Sequence, residues 1–332
     1  MSSLPDVTFA TPRKTTTLQR TAGVAGLGSA LPQNAVSNAE IAPNIGVDAD
    51  WIERRTGIRN RRHAAPGARL TDLAADAARS ALDAAGLEAD AVDMILVATL
   101  TADELTPNAA PQVAHAIGAH RAGTMDIGAA CTGFLSAVSI GAGLIESGRA
   151  GNVLIVGAEI LSRHLDHSDR KTAMLFGDGA GAIVLAADAD GSVGPVVLAS
   201  DGSAAPYILA DRASGIITMD GHETFKRAPA ALIDATRDVL DLAGLTTDDI
   251  DLFVYHQANG RITSAVAEAL DVTDGRVLDV IAEIGNTSAA SLPLALVEAR
   301  DRGLLHPGAR ILLGAVGAGF TWGATILEWG QA

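Results

Sequence analysis

The chain has 332 residues and a single cysteine, Cys131. One thiol excludes an internal disulfide framework and suits a reducing compartment, so a cytoplasmic protein is expected. No run of roughly 18 or more apolar residues occurs, and no transmembrane helix is expected. Residues 1–20 lack the apolar segment of a signal peptide and are rich in Ser, Thr and Pro, which reads as a disordered tail. Positive charge is scarce: 24 Lys plus Arg stand against 39 Asp plus Glu, a formal net charge of −15. That imbalance opposes general binding to nucleic acid or to a membrane surface. The histidines show no metal-ligand spacing with the lone cysteine. His164 and His167, beside Asp166 and Asp169, read as a solvated loop, and no metal is expected.

What the chain does have is a large apolar fraction and an internal repeat. With 48% hydrophobic residues it can bury a sizeable core, in two domains or in one duplicated domain. The segment from Leu82 to Asp93 lies on that from Leu240 to Asp251 at an offset of 158, with seven of twelve positions identical. Each copy ends a helix at a glycine, crosses a short acidic loop and enters an apolar strand, Met94–Thr99 in one and Leu252–His256 in the other. A second match, Gly151–Ala158 on Gly308–Ala315, falls at an offset of 157. Two similar α/β halves are therefore expected, residues 21–190 and 191–332, with layered sheets and helices packed on them. At that offset Cys131 falls on Ser288. The Cys131 turn of the first half thus corresponds to the Asn286 turn of the second, and a pseudo-twofold axis brings the two together.

Cys131 sits in Asp126-Ile127-Gly128-Ala129-Ala130-Cys131-Thr132-Gly133-Phe134, the pattern of a strand end, a small-residue turn and a helix start. At such a start, unpaired N–H groups and the helix dipole favour thiolate and are expected to pull the pKa below about 8.5. Small neighbours argue for a gap that a ligand fills rather than for a packed core thiol. Two further motifs complete a candidate site. Tyr255-His256-Gln257-Ala258-Asn259 follows a strand, and Gly285-Asn286-Thr287-Ser288-Ala289-Ala290-Ser291 joins a turn to a helix. Arg54, Arg55, Arg59, Arg61 and Arg62 crowd nine positions and read as a local anion-docking site on an acidic protein. Gly177-Asp178-Gly179-Ala180-Gly181 precedes a strand rather than opening a helix, which excludes a dinucleotide fingerprint. Trp322 and Trp329 read as core anchors.

From about Thr21 to Trp329 the chain resembles the β-ketoacyl-acyl-carrier-protein synthase III family of the thiolase superfamily. The resemblance rests on Asp50-Trp51-Ile52-Glu53-Arg54-Arg55-Thr56-Gly57-Ile58, the cysteine turn, Phe176-Gly177-Asp178-Gly179-Ala180-Gly181-Ala182, His256-Gln257-Ala258-Asn259 and Gly285-Asn286-Thr287-Ser288, in order and at similar spacing. It implies a thiolase-like fold of two pseudo-symmetric halves in an α-β-α-β-α arrangement. It also implies that Cys131 takes an acyl group from acyl-CoA and then condenses it with malonyl-acyl carrier protein, losing carbon dioxide. His256 and Asn286 are then the donors to the enolate oxygen, and the backbone N–H groups of Cys131 and Ala318 form the oxyanion hole. The resemblance places Trp51 and Arg170 about the coenzyme A adenine and Arg55 and Thr56 near its phosphates. Phe225, Lys226, Asn259 and Arg261 follow along the pantetheine channel, with Lys226 and Arg261 also able to meet an acidic carrier protein. The expected partners are acyl-CoA, the carrier protein and a second copy in a homodimer; no cofactor beyond the substrates is implied.

The departures are as informative. Ala318 replaces the middle of three glycines common in the family, and Tyr255 stands where proline is common. The segment Gly202–Thr224, which helps wall the acyl pocket, looks shortened. Thr106 matches a position that bears Phe in acetyl-specific relatives and is contributed across the dimer, which implies starters longer than acetyl or branched. Two other readings keep parts of this frame. A same-fold acyltransferase passes the acyl group to a hydroxyl or amine, and a non-catalytic subunit sets chain length or binds acyl groups. The retained Cys131, His256 and Asn286 favour condensation over both.

Overall fold

The computed structural model describes residues 20–330, so the expected tail falls almost wholly outside the described residues. Strand β1 (Gly23–Ala30) leads to the short β2 (Ala35–Ser37) and helices α1 (Asn38–Ile45) and α2 (Ala49–Thr56). Asp48 caps α2 by accepting the Trp51 N–H at 2.6 Å, and Gly57 ends it in the left-handed region. β3 (Asn60–Arg62) pairs back on β2, and α3 (Leu70–Ala85) follows. Then β4 (Met94–Ala98), α4 (Ala109–Ile117), β5 (Gly123–Ile127), α5 (Gly133–Glu146) and β6 (Asn152–Glu159) alternate before β7 (Gly179–Ala186).

The remaining chain repeats the plan. β8 (Gly191–Ser200) precedes a small hairpin, β9 (Ile208–Ala210) and β10 (Ile217–Met219), and the long α6 (Gly221–Ala243). β11 (Leu252–Tyr255), α7 (Gly260–Ala269), α8 (Ile281–Ile284), α9 (Ser291–Asp301), β12 (Arg310–Gly317) and β13 (Thr321–Trp329) complete it. Both α3 and α6 end at the glycines of the sequence repeat, Gly86 and Gly244, each with positive φ.

One sheet runs β1-β7-β6-β4-β5 and the other β11-β12-β13-β8. In each, a parallel pair joins an antiparallel run: β4 with β6 in the first sheet, β11 with β12 in the second. The counterpart of β5 in the second sheet is reduced to one bridge, Phe253 to Val277. Helices α3 and α4 cover the outer face of the first sheet, α6 and α7 that of the second, and α5 and α9 lie between the sheets. This is the five-layered arrangement that the resemblance implies; the alternation of elements pointed only to layered sheets with helices packed on them.

The middle layer is apolar on all sides, because its helices meet a sheet on each face. Phe134, Leu135, Val138, Leu292, Leu296, Ile155, Ile183, Ile311 and Leu313 form its core, each 0–1% exposed. Close approach is needed where the halves meet: a Cβ on Gly157 falls 2.2 Å from the Ala289 carbonyl oxygen, so only glycine fits. Among the described residues, no helix is long and apolar enough to cross a membrane.

Candidate active site

The Cys131 turn forms where β5 delivers the chain to the middle layer. Ala130–Thr132 make one 3-10 turn before α5, and Ala130 takes a left-handed φ of 47°. The second half builds the same device: Ser288, at φ 48°, opens the turn Ser288–Ala290 before α9. Matching the helix starts, Gly133 and Ser291, gives an offset of 158, so Cys131 corresponds to Ala289. The sequence offset of 157 was one residue short. The two turns pack against each other.

From the other side, Gly317 lies so close that a Cβ there would sit 2.8 Å from the Cys131 nitrogen. Ala318 and Ser288 line the same cavity as Cys131. Thr321 donates to the Ala318 carbonyl at 3.1 Å, and its hydroxyl lies 2.9 Å from that of Thr132, which ties the Ala318 loop to the cysteine turn.

The electrostatics of the thiol run opposite to expectation. Burial pushes Cys131 up to about 11, and the nearby Glu159 charge adds to this; the Ser288 hydroxyl and the backbone N–H groups of Cys131 and Ala318 pull the other way without prevailing. Desolvation of a thiolate facing the largely apolar cavity outweighs a single turn of helix dipole, although Cys131 keeps part of its surface exposed. Cys131 therefore rests as a thiol.

His256 follows β11 and is 1% exposed. Neither ring nitrogen has a partner among the described residues, and burial pulls its pKa down to about 3. The ring is thus neutral, with one N–H available to a ligand. Gln257 fixes it: its backbone N–H donates to Ser291 Oγ at 2.7 Å and its side chain joins the Tyr255 carbonyl (2.8 Å) to the Val280 N–H (2.9 Å). Asn286, 6% exposed, accepts the Ser288 N–H on Oδ1 at 3.0 Å, which leaves Nδ2 as a donor.

One cavity of about 630 Å³ is lined by Cys131, His256, Asn286, Ser288 and Ala318 together. Its walls are mostly apolar: Leu161, Met174, Leu175, Phe176, Phe320, and Ile208, Leu209, Ile217 and Met219 from the β9–β10 hairpin, which belongs to the shortened segment. Trp51, Arg55, Arg170, Phe225, Asn259 and Arg261 also line it. The Arg55 guanidinium stands 5.5 Å from the Trp51 ring centre, and Arg261 stands 4.9 Å from that of Phe225. Asn259 caps α7 through the Arg261 N–H and donates to the Arg55 carbonyl, which joins the two basic positions.

Three expected residues lie elsewhere. Thr56 is fully buried, its hydroxyl donating to the Ile52 carbonyl of its own helix, so it faces no phosphate. Lys226 is exposed on α6 outside the cavity lining, and Thr106 is exposed and does not line its own chain's cavity.

The arginine cluster is also mostly structural. Arg61 is 0% exposed and donates to the carbonyls of Val36 and Met174, Arg62 to those of Pro32 and Gln33, and Arg59 pairs with Glu283 at 2.9 Å. Only Arg55 of the five lines the cavity. Tyr255 now has an account: its hydroxyl meets Thr236 at 3.1 Å, and its ring fills the space that a side chain at Gly314 would take.

Glu159 was missed. It ends β6 completely buried, and its carboxyl accepts from Thr101 Oγ1 (2.7 Å), Thr99 Oγ1 (3.3 Å), the Leu100 N–H (3.1 Å) and Ser288 Oγ (3.1 Å). A lone acid closing the apolar run Val153–Ala158 was the signal available.

Two duplicated α/β halves with a thiol nucleophile on a buried turn between their sheets define a thiolase-type acyltransferase. Known proteins narrow this. The family model for 3-oxoacyl-(acyl-carrier-protein) synthase III matches residues 125–202, and that for its C-terminal part matches residues 240–329. A β-ketoacyl-(acyl-carrier-protein) synthase III of Streptomyces coelicolor is 43% identical over 332 residues, covering 94% of this chain and 98% of its own. The crystal structure of 3-oxoacyl-(acyl carrier protein) synthase III from Pseudomonas aeruginosa is similar at a TM-score of 0.89 and 42% identity, covering 94% of this chain and 99% of its own. A priming β-ketosynthase of a polyketide biosynthetic pathway gives a TM-score of 0.90 at 37% identity, covering 96% and 99%. The chain belongs to the 3-oxoacyl-(acyl-carrier-protein) synthase III family. Its chemistry is that of a condensing acyltransferase, which needs no cofactor beyond its substrates.

Proposed function

We propose that Cys131 accepts an acyl group from acyl-CoA and that malonyl-acyl carrier protein then condenses with it, giving β-ketoacyl-acyl carrier protein and carbon dioxide. The observation that carries this reading is the shared cavity, in which a part-exposed thiol stands with Asn286 and with His256, whose ring nitrogens have no partner among the described residues. A neutral His256 N–H and the Asn286 amide hold the thioester oxygen as charge gathers on it during decarboxylation. Each such preorganised donor is worth about 10² to 10³ in rate. The N–H groups of Cys131 and Ala318 stabilise the tetrahedral intermediate at the acyl carbonyl. His256 does not act as a base on substrate in this scheme; it binds as a neutral donor.

Trp51 and Arg170 hold the adenine, Arg55 the phosphates, and Phe225, Asn259 and Arg261 the pantetheine. Arg261 at the cavity mouth also orients the carrier protein against a chain of net charge −15. A homodimer along β5 is supported by its free outer edge and by the apolar residues exposed on that side, Leu105 at 88%, Leu100 at 52% and Met125 at 45%. Thr106, next to Leu105, then reaches the partner's acyl pocket, and its small side chain admits starters longer than acetyl or branched. The lone cysteine and the acidic composition fit a cytoplasmic enzyme.

The test is intact mass after incubation with straight and branched C2 to C12 acyl-CoAs, with and without malonyl-acyl carrier protein. An acyl adduct on Cys131 that disappears as β-ketoacyl carrier protein forms is the expected result. A strong preference for acetyl overturns the reading of Thr106, and an adduct that persists with malonyl-acyl carrier protein overturns condensation.

A further inference from the structure

The two donors assigned to the enolate oxygen stand on different loops, and each is effective only if its angle to that oxygen is fixed. His256 is held by its neighbour Gln257, whose backbone N–H donates to Ser291 Oγ at 2.7 Å. Asn286 is held by Ser288, whose N–H donates to Asn286 Oδ1 at 3.0 Å. With Oδ1 engaged, the carboxamide can turn only one way, and Nδ2 is the end left to donate. Both supports therefore come from one short piece of chain, the Ser288–Ala290 turn and the first residue of α9.

That turn needs an anchor of its own. Ser288 takes a left-handed φ of 48°, a conformation that is costly for a residue with a Cβ. The Ser288 hydroxyl supplies the anchor by donating to Glu159 Oε1 at 3.1 Å, across to the other half of the molecule. Glu159 is in turn fixed from behind. Its Oε2 accepts the Thr101 hydroxyl at 2.7 Å and the Leu100 N–H at 3.1 Å, and Thr101 Oγ1 accepts the Ile160 N–H at 2.9 Å. Glu159, Thr101 and Ser288 are all buried. Gly157 and Glu159, two apart on β6, present the same face to the turn. The glycine makes room for the Ala289 carbonyl, and the acid grips Ser288.

Resting on the condensation reading above, we propose that Glu159 is a positioning residue for decarboxylation: through Ser288 it sets the Asn286 carboxamide in the orientation that donates to the thioester oxygen. Glu159 lies outside the cavity lining, whereas Ser288 and Asn286 belong to it, so its influence passes through the turn rather than through contact with substrate. The step it serves is the one that needs Asn286. Acylation of Cys131 does not use that donor and is expected to be spared.

The test is a double-mutant cycle joined to one spectroscopic signature. Decarboxylation of malonyl-acyl carrier protein and single-turnover acylation of Cys131 by an acyl-CoA are measured in Ser288→Ala and in Glu159→Leu, each alone and combined with Asn286→Ala. Each single variant should lower kcat for decarboxylation by about 10- to 10²-fold, with KM for the carrier protein and the acylation rate within a few-fold. In the Asn286→Ala background the same changes should cost nothing further, because the group they orient is gone. Glu159→Gln, which keeps an oxygen for Ser288, should recover most of the rate that Glu159→Leu loses. The signature is the NMR signal of the Asn286 side-chain amide in 15N-asparagine-labelled enzyme, assigned by its loss in Asn286→Ala. It should shift or broaden in Ser288→Ala and hold its place in Glu159→Gln. An unmoved signal in Ser288→Ala, equal losses in acylation and decarboxylation, or a loss that persists without Asn286 overturns the proposal. A signal that moves in an enzyme that never decarboxylates malonyl-acyl carrier protein supports the positioning and overturns the condensation reading instead. Ser288→Ala removes a single oxygen, so the proposal stays decidable even where Glu159→Leu fails to fold.

Discussion

Replacing His256 by Leu should make the protein more stable and the condensation far slower. Leucine is close to histidine in bulk, so the buried site stays filled. The two ring nitrogens, which have no partner among the described residues, are removed. A buried unpaired polar group costs about 1–3 kcal/mol, so the variant should gain about that amount. For a chain of this size that is roughly 2–4 °C in Tm.

The pH dependence sharpens the prediction. In the unfolded chain histidine binds a proton from about pH 6.5 downward, but in the fold only from about pH 3. Between those values the unfolded state holds more protons, so His256 makes stability fall as pH falls. From pH 7 to pH 5 the loss is about 2 kcal/mol, absent in the variant. Urea melts of both proteins at the two pH values isolate it, because every other group is common to both. Malonyl decarboxylation should drop by about 10² to 10³, while acylation of Cys131, read by mass, stays within a few-fold. A variant less stable than the parent, or one that loses acylation by the same factor as decarboxylation, refutes the reasoning.

Glu159→Gln should show the opposite linkage. The folded carboxyl keeps its proton up to about 7 whereas the unfolded one releases it from 4.5, so this stabilising contribution is present below 4.5 and lost as pH rises through 7. The variant's stability relative to the parent should therefore improve by about 2–3 kcal/mol between pH 5 and pH 8, measured by denaturant melts. Gly157→Ala sets a Cβ 2.2 Å from a backbone oxygen and should cost about 3 kcal/mol, seen as a lower Tm. Gln257→Leu strands the Tyr255 carbonyl and the Val280 N–H and should cost about 2–4 kcal/mol in urea melts, with decarboxylation falling more than acylation. Arg261→Ala should raise KM for the carrier protein about tenfold with kcat little changed, and the effect should shrink in high salt.

The sequence disclosed what is local or repeated. The offset of 158 between Leu82 and Leu240 reappears in the starts of β4 and β11 and of α5 and α9. Small residues around Cys131 announced the tight turn, and the glycines after α3 and α6 announced where those helices stop. What stayed hidden depends on partners far apart in the chain. The pKa of Cys131 was misjudged because helix dipoles can be read from neighbours, whereas burial needs the packed halves. Arg61 looked like an anion binder because the carbonyl of Met174, 113 residues away, is invisible along the sequence. Glu159 and Ser288 are separated by 129 residues, so their bond left no pattern to find. Tyr255 was opaque until Gly314 and Thr236 were seen beside it.

The two sheets differ at one edge, and that difference sets a limit on growth. A duplicated chain with two equivalent open edges could add copies at both ends and run on as a fibre. Here the first sheet ends in the free β5, but the matching edge beyond β11 is covered by the segment at Val277. Arg276 anchors that segment by donating to the Thr247 and Ile250 carbonyls at 2.7 Å each. Of these two matching edges, one is open and one is covered among the described residues. In the dimer proposed above, pairing β5 with β5 would use both open edges, and association along this strand would stop at a closed pair.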